Sequence, residues 1–366
     1  MHAYQYHTKG GVVLNFRKTI GALSQPPGVS GYENDVAESA RVLLEPLCNR
    51  VETLPLYPVV GVRDSAKPGA PRVLLDAHID QIGFIVTGYE DTEGPVGGFV
   101  RIAACGGFDP RTLPAKEVIV HAPCGRLHGI VACLPPHLKN PDAPPRAAIP
   151  LKDLSVDLGM PAARVRELVP LGTPVTVKAE PFGIGGDFIG GAALDDRACF
   201  AAILYALELL KDEPLPVELI AVGSTREEVD GRGAATAAHH TRPDYAVAVD
   251  VTHAGTPDAP KERTVPIGSG AAIGIGPHLN CRVSSTLVRI AQAQNIPHTR
   301  EILPSFTGTN ASVMQTVRAG IATGLVSLPL RYMHTGCEVI REHDAKACGE
   351  LLAAFVRSFN EGVPRC

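Results

Sequence analysis

Near residue 81 the chain changes texture, and near residue 178 it changes back. Between about Gln81 and Lys178, short β-like pieces ("GFIVTGY", "GGFVRIAA", "EVIVHA", "LHGIVACL", "TPVTVKA") alternate with Gly/Pro turns and one Pro-rich loop, "PPHLKNPDAPPRAAIP". Short strands at such close spacing predict a small antiparallel barrel or sandwich. Before this stretch, apolar residues recur at helical spacing from Asn15 to Leu47, broken by the loop "SQPPGVSGYE", and the strand "PRVLLDAHID" follows. After it come the helix "DDRACFAAILYALELLKD", the strands "VELIAVGS" and "DYAVAVDVT", the helix "SSTLVRIAQAQ", the strand "GLVSLPL" and the helix "DAKACGELLAAFVRSF". Alternation of this kind predicts an α/β fold, a sheet wrapped by helices. The expected organisation is one α/β body formed by residues 1–80 and 179–366, with an all-β segment, 81–178, inserted into it.

Composition narrows the function. With 366 residues, 45% of them hydrophobic, the chain can bury an ample core. The net charge of −4 is spread along the chain rather than blocked, which argues against a nucleic-acid surface or a polybasic membrane patch. No run approaches the roughly 18 apolar residues of a membrane span, and "MHAYQYHTKGGVVLNF" lacks the apolar core of a signal peptide. A soluble, cytoplasmic protein acting on a small molecule or peptide is expected. The nine cysteines form no CxxC pair, so neither a zinc ribbon nor a disulfide framework is indicated.

In an α/β sheet the ligand site lies beyond the carboxyl ends of the strands. Acidic or histidine residues stand at that edge in five places: His78 after "VLLDA", Asp195 in "GGAALDDRA", Glu227 and Glu228 after "LIAVGSTR", Asp250 closing "YAVAVD", and His334 after "SLPLRYM". Two imidazoles with several carboxylates suit a divalent transition metal such as zinc or cobalt. The single-zinc signature HExxH is absent, and scattered ligands fit a two-metal hydrolase better, in which a shared carboxylate bridges ions about 3.5–4 Å apart. Such a site needs a general base that is not itself a ligand, and one of the adjacent glutamates could serve. Strand alternation alone would point Glu227 and Glu228 to opposite sides, so the turn after "LIAVG" must bend the chain to bring both to the site. Each residue also has a plainer reading: Asp250 as a cap, His78 as a core histidine, Asp195 and Asp196 as an N-cap and first-turn acid. Their co-occurrence at one edge favours the metal reading.

Together the stretches "PGVSGYE", "DAHIDQIGFIV", "GGFDPRTLP", "GIVACLPPHL", "GGAALDDRA", "STREEVDGRGA", "AVAVDVT", "GTNAS" and "PLRYMHTGCEVI" resemble metallopeptidase family 42, the glutamyl and tetrahedral aminopeptidases, over nearly the whole chain. The resemblance implies a zinc-exopeptidase-like catalytic domain, a central mixed sheet flanked by helices, with the insert as an all-β dimerisation domain. It implies two divalent metal ions, zinc or cobalt, with His78 and Asp250 on one, Glu228 and His334 on the other, and Asp195 bridging. Glu227 would be the general base, and Asp80 the carboxylate that orients His78. Short peptides would be the substrates, and a homo-oligomer, from a dimer up to a tetrahedral dodecamer, the assembly. The chain departs from the family's usual residues at Gln81, where Glu is common, Arg226, where Gln is, and Asn310, where Asp is. Arg226 could bring positive charge near an acidic substrate side chain, or equally be a solvent-facing or ion-paired arginine.

His121, His128, His137, His239 and His240 read as structural or surface residues, and His253 as a possible pocket residue. Competing readings are a metal-dependent deacylase or carboxypeptidase on the same fold, and an inactive scaffold paralogue. Glycoside hydrolysis fits poorly, because adjacent glutamates are badly placed to flank a sugar ring.

Overall fold

The computed structural model describes residues 7–8, 11–12, 14–138 and 149–362. Residues 139–148, most of the Pro-rich loop, and nearly all of the segment before Leu14 lie outside them. The main sheet runs, edge to edge, through Phe182–Ile184, Phe188–Gly191, Glu338–Arg341, Ala322–Arg331, Tyr245–His253, Arg72–His78, Glu218–Ser224, Val59–Arg63 and Arg50–Thr53. Its four central strands, Ala322–Arg331 to Glu218–Ser224, are parallel, and the strands next to them on either side, Glu338–Arg341 and Val59–Arg63, are antiparallel to them. A parallel pair, Ala271–Ile275 and His298–Ile302, branches from Ala322–Arg331. The sheet is therefore mixed, as expected.

The central strands read as continuous apolar runs because both faces are covered. Alternate residues serve different layers. Val73, Leu75 and Ala77 pack with Leu219, Ala221, Val247 and Val249 under the helices Phe16–Ser24, Leu194–Leu210, Cys281–Ala293 and Glu342–Ser358. Leu74, Ile220, Val222, Ala246 and Ala248 face the other way, toward Arg232–Thr241 and the short helix Ala311–Met314. This second layer is thin and built largely of alanine. His78, Ser224 and Asp250 have the parity of that face, at the carboxyl ends of adjacent strands.

After His78 the chain leaves the sheet and builds a closed antiparallel barrel, ordered Ser155–Met160, Gly98–Cys105, Gly83–Asp91, Pro174–Val177, Glu117–Ala122, Gly125–Val131 and back to the first. Val86, Val100, Ile102, Val118, Val120, Val156 and Val175 fill it, the inward half of each alternating strand. Five of the six strands match the sequence-predicted ones. Ser155–Met160 and the helix Ala162–Leu168 were not anticipated, although "SVDLGM", just after the Pro-rich loop, does alternate, with Val156, Leu158 and Met160 its apolar positions. Among the described residues, no helix is long and apolar enough to cross a membrane.

Phe200, fully buried on Leu194–Leu210, packs against the end of the strand that carries Ser224. Phe200→Ala should lower stability by about 3–5 kcal/mol through the cavity it leaves. Denaturant titration of both proteins checks this; an unchanged midpoint would contradict the packing described.

Candidate metal centre

Parallel pairing sets the site's first level. His78 pairs with Ser224, and Asp76 with Ala248, so Asp250 comes level with His78 on the neighbouring strand. Asp195 reaches the same point from the start of Leu194–Leu210. Its own backbone and that of Asp196 are non-helical, the Asp195–Asp196 peptide is cis, and the cap residue Ala193 makes no side-chain bond. Both aspartates stand in the first turn of the helix, and their carboxylates reach beyond it. The Asp196 carboxylate accepts the His78 main-chain N–H at 3.1 Å, and Asp195 lies 3.1 Å from His78 Nε2.

Asp80 organises the second level. Its fully buried carboxylate accepts the Ser30 hydroxyl at 2.6 Å and the main-chain N–H groups of Glu227 and Glu228 at 3.1 and 3.3 Å. Its Oδ1 is 3.4 Å and its carbonyl oxygen 3.2 Å from His78 Nδ1. An Nδ1–H held there leaves the Nε2 lone pair facing the site. The turn after Ser224 bends as the adjacent glutamates require. Arg226 sits at φ 60°, and Asp230 and Gly231 donate back to its carbonyl at 3.1 and 2.8 Å. Gly233 closes the turn so tightly that a Cβ would meet the Thr225 carbonyl oxygen at 2.2 Å.

His334, at φ 59°, follows Ala322–Arg331, its ring 3.4 Å from Glu228 and 3.6 Å from Asp195. Glu338, not singled out in the sequence, joins the two halves. Its buried carboxylate accepts the Asp195 N–H at 3.0 Å and the His334 N–H at 3.3 Å. Gly107 of the barrel lies against the His334 ring, where a Cβ would come within 2.9 Å of Nδ1.

All seven residues expected at the site thus converge. His78, Asp195 and Asp250 present ligand atoms within 4.8 Å of one another, as do Asp195, Glu228 and His334. Glu227 belongs to neither group, with its carboxylate 4.0 Å from His78 Nε2. Of the other histidines, His121 bonds Thr176, His128 bonds Glu117 and His240 bonds Glu52, all away from the cluster. His253 lines the same cavity.

The electrostatics show how such a cluster would favour a cation. Burial and then Asp195 push the Glu228 carboxyl well up, and burial and then Glu227 do the same to Asp250. Glu227 is pushed up to about 7, chiefly by burial. His78 goes the opposite way to its own burial, because Asp195 and Asp80 flank the ring and raise its pKa well above the usual histidine range. Asp80 alone is held low: burial would raise it, but bonds to His78, Ser30 and the Glu227 amide outweigh that. Carboxylates this close and this dry hold protons unless a cation replaces them. Two groups of His and carboxylate donors sharing Asp195 are a donor set suited to divalent transition metals.

An α/β sheet with a barrel insert and a His/carboxylate cluster at its carboxyl edge defines a metallohydrolase-like class. Residues 59–351 match the M42 glutamyl aminopeptidase family, and the chain belongs to it. It is 31% identical to a lysyl aminopeptidase of Pyrococcus furiosus, over 91% of this chain and 94% of that one. An aminopeptidase from the archaeon Desulfurococcus kamchatkensis has a similar structure, with TM-score 0.85 and 30% identity over 93% of this chain and 94% of that one. So does a TET1 peptidase of Pyrococcus horikoshii, described as assembling into a tetrahedron or a large octahedral shell, with TM-score 0.80 and 25% identity over 93% and 99% of the two chains.

The departures from the family's usual residues have local consequences. Asn310 donates its amide to Asp76 at 2.8 Å and to Ser224 at 2.9 Å, where an aspartate would oppose Asp76. Gln81 is buried, its N–H donating to the Gly28 carbonyl at 2.8 Å. Arg226 is not among the residues lining the cavity.

Glu227, Asp76 and Glu33 each have a carboxyl pushed up to about 7, with burial the largest cause. A folded pKa above the unfolded one gives a contribution that is complete below the unfolded value and is lost as pH rises through the folded value. Metal-free protein should therefore lose thermal stability between about pH 5 and about pH 8. Melting of chelator-treated protein at constant ionic strength measures this, and a flat or rising Tm over that range would contradict it.

Proposed function

We propose that the chain is a dinuclear metal aminopeptidase that removes N-terminal residues from short peptides. In this reading His78 and Asp250 hold one divalent ion, Glu228 and His334 the other, and Asp195 both, with zinc or cobalt suiting the donors. When bound, the two ions supply Lewis acidity toward the scissile carbonyl and make a water acidic enough to attack at neutral pH.

The remaining work belongs to the protein. Glu227 accepts the proton of the attacking water and passes it to the departing amine. Its partly desolvated carboxyl is suited to both halves of that transfer. Asp80 positions Glu227 by binding its main-chain N–H and fixes the His78 tautomer by holding Nδ1. Glu338 positions Asp195 and His334 through their amides. The observation that carries the reading is the pair of ligand groups sharing Asp195 with Glu227 left out of both.

Assembly enters the same proposal. The insert exposes Ile130, Leu134, Leu138 and Leu171, apolar side chains available to a protein–protein contact. They support the barrel as a dimerisation domain of a homo-oligomer, up to a tetrahedral dodecamer.

Glu227→Gln should keep its metal content by elemental analysis while turnover falls by about 10²- to 10⁴-fold. Loss of metal together with turnover would make Glu227 a ligand instead. Peptides with a free N-terminus should be cleaved and N-acetylated ones not; cleavage of the blocked peptides would favour the deacylase or carboxypeptidase reading.

A further inference from the structure

Beside the metal centre opens a cavity of about 520 Å³, and the residues lining it include no lysine or arginine. Three charged or titratable groups outside the cluster do line it: Asp230, His253 and Glu301. Asp230 is paired with Arg232 at the exposed rim, and the His253 side chain is exposed. Glu301 differs from both. It is half-buried on His298–Ile302, it forms no ion pair among the described residues, and its hydrogen-bond donor is the Thr252 hydroxyl. Its second oxygen, Oε2, is shielded from solvent and has no partner.

The position of this carboxylate follows from the sheet. Thr252 lies two residues after Asp250 on Tyr245–His253, so their side chains share a face and stand about 7 Å apart. Glu301 bonds the Thr252 hydroxyl and so lies about one extended side chain from the metal ligands. Leu303, two residues on, points to the same face, and Leu325 and Val313 line the cavity with it. Leu303, Leu325 and Val313 thus give the cavity one apolar stretch of wall beside the polar Ser327 and Asn310, with the Glu301 carboxylate lacking a cationic partner at the side.

An apolar stretch of wall beside a carboxylate without a cationic partner matches a side chain with a methylene stem and a cationic head. We propose that Glu301 is a specificity-determining residue that receives the side chain of the substrate's N-terminal residue, and that the preferred substrates carry lysine or arginine there. The inference rests on the aminopeptidase reading and deepens it. A glutamyl or aspartyl side chain would face Glu301 with like charge and no lysine or arginine in the lining to offset it. That reverses the expectation attached to Arg226, which lies outside the lining.

The test compares lysyl, norleucyl and glutamyl anilides on the metal-loaded enzyme and on Glu301→Gln. Norleucine keeps the apolar stem of lysine and lacks the ammonium, so the ratio isolates the charge. The wild type should favour lysyl over norleucyl by about tenfold or more in kcat/KM, with glutamyl poorest. In Glu301→Gln the ratio should collapse toward one, chiefly through a higher KM for the lysyl substrate. Calorimetric binding of lysinamide against norleucinamide to metal-loaded protein should show the same preference without turnover. Equal wild-type rates for lysyl and norleucyl, or a Glu301→Gln variant that slows both alike, would overturn the proposal; the second result would make Glu301 an anchor for the substrate's α-amine. Turnover of none of the three, with no amide binding, would defeat the aminopeptidase reading and this inference together, whereas turnover without preference defeats the inference alone.

Discussion

One buried carboxylate holds the site together. Asp80 bonds the ring of the histidine two residues before it, the hydroxyl of Ser30 from the N-terminal helical layer, and the amides of both glutamates in the turn after Glu218–Ser224. Bonds to a charged acceptor are the strong kind, about 1.5–3 kcal/mol each. Behind it the fully buried Arg197 donates to the carbonyls of Leu23, Pro26 and Ile79 and supplies a countercharge. Without this anchor, Glu227 and Glu228 would have no reason to face the same cavity. In the proposed reading the adjacent pair serves two tasks because one acceptor fixes the backbone of both.

The rest of the cluster is arranged against its own repulsion. Asp195, Asp250, Glu227 and Glu228 converge where the thin alanine layer leaves the strand ends open. Among the described residues, the imidazoles of His78 and His334 are the groups that ion-pair contacts place against them. In the proposed reading, stability and function meet in one requirement, that positive charge be delivered between them. The barrel contributes by closing one wall, with Gly107 against His334, and the branch strand His298–Ile302 closes another with Glu301.

Much of this was legible in the sequence because apolar runs stop where the chemistry starts. His78, Asp250 and the two glutamates each follow a continuous apolar strand, and hydrophobic periodicity finds such ends directly. The barrel's alternating strands were legible for the same reason, except Ser155–Met160. Glu338 and Glu301 were not. Glu338 meets Asp195 across 143 residues, and Glu301 meets Thr252 across 49, so nothing local distinguishes them from surface acids. Glu338 did carry a faint signal, as an acid four residues beyond the site histidine and opening a strand. The edge strands escaped notice because pairing on one side asks little of composition. Arg226 misled in the opposite way: its charge was visible, but its left-handed backbone, which turns the chain, was not.

The most direct measurement is anomalous diffraction from crystals loaded with zinc or cobalt. The account predicts two peaks per chain, one beside His78 and Asp250, the other beside Glu228 and His334, with Asp195 touching both and the Glu227 carboxylate clear of either. A single peak, or Glu227 bound to a metal with Glu228 turned away, would contradict it.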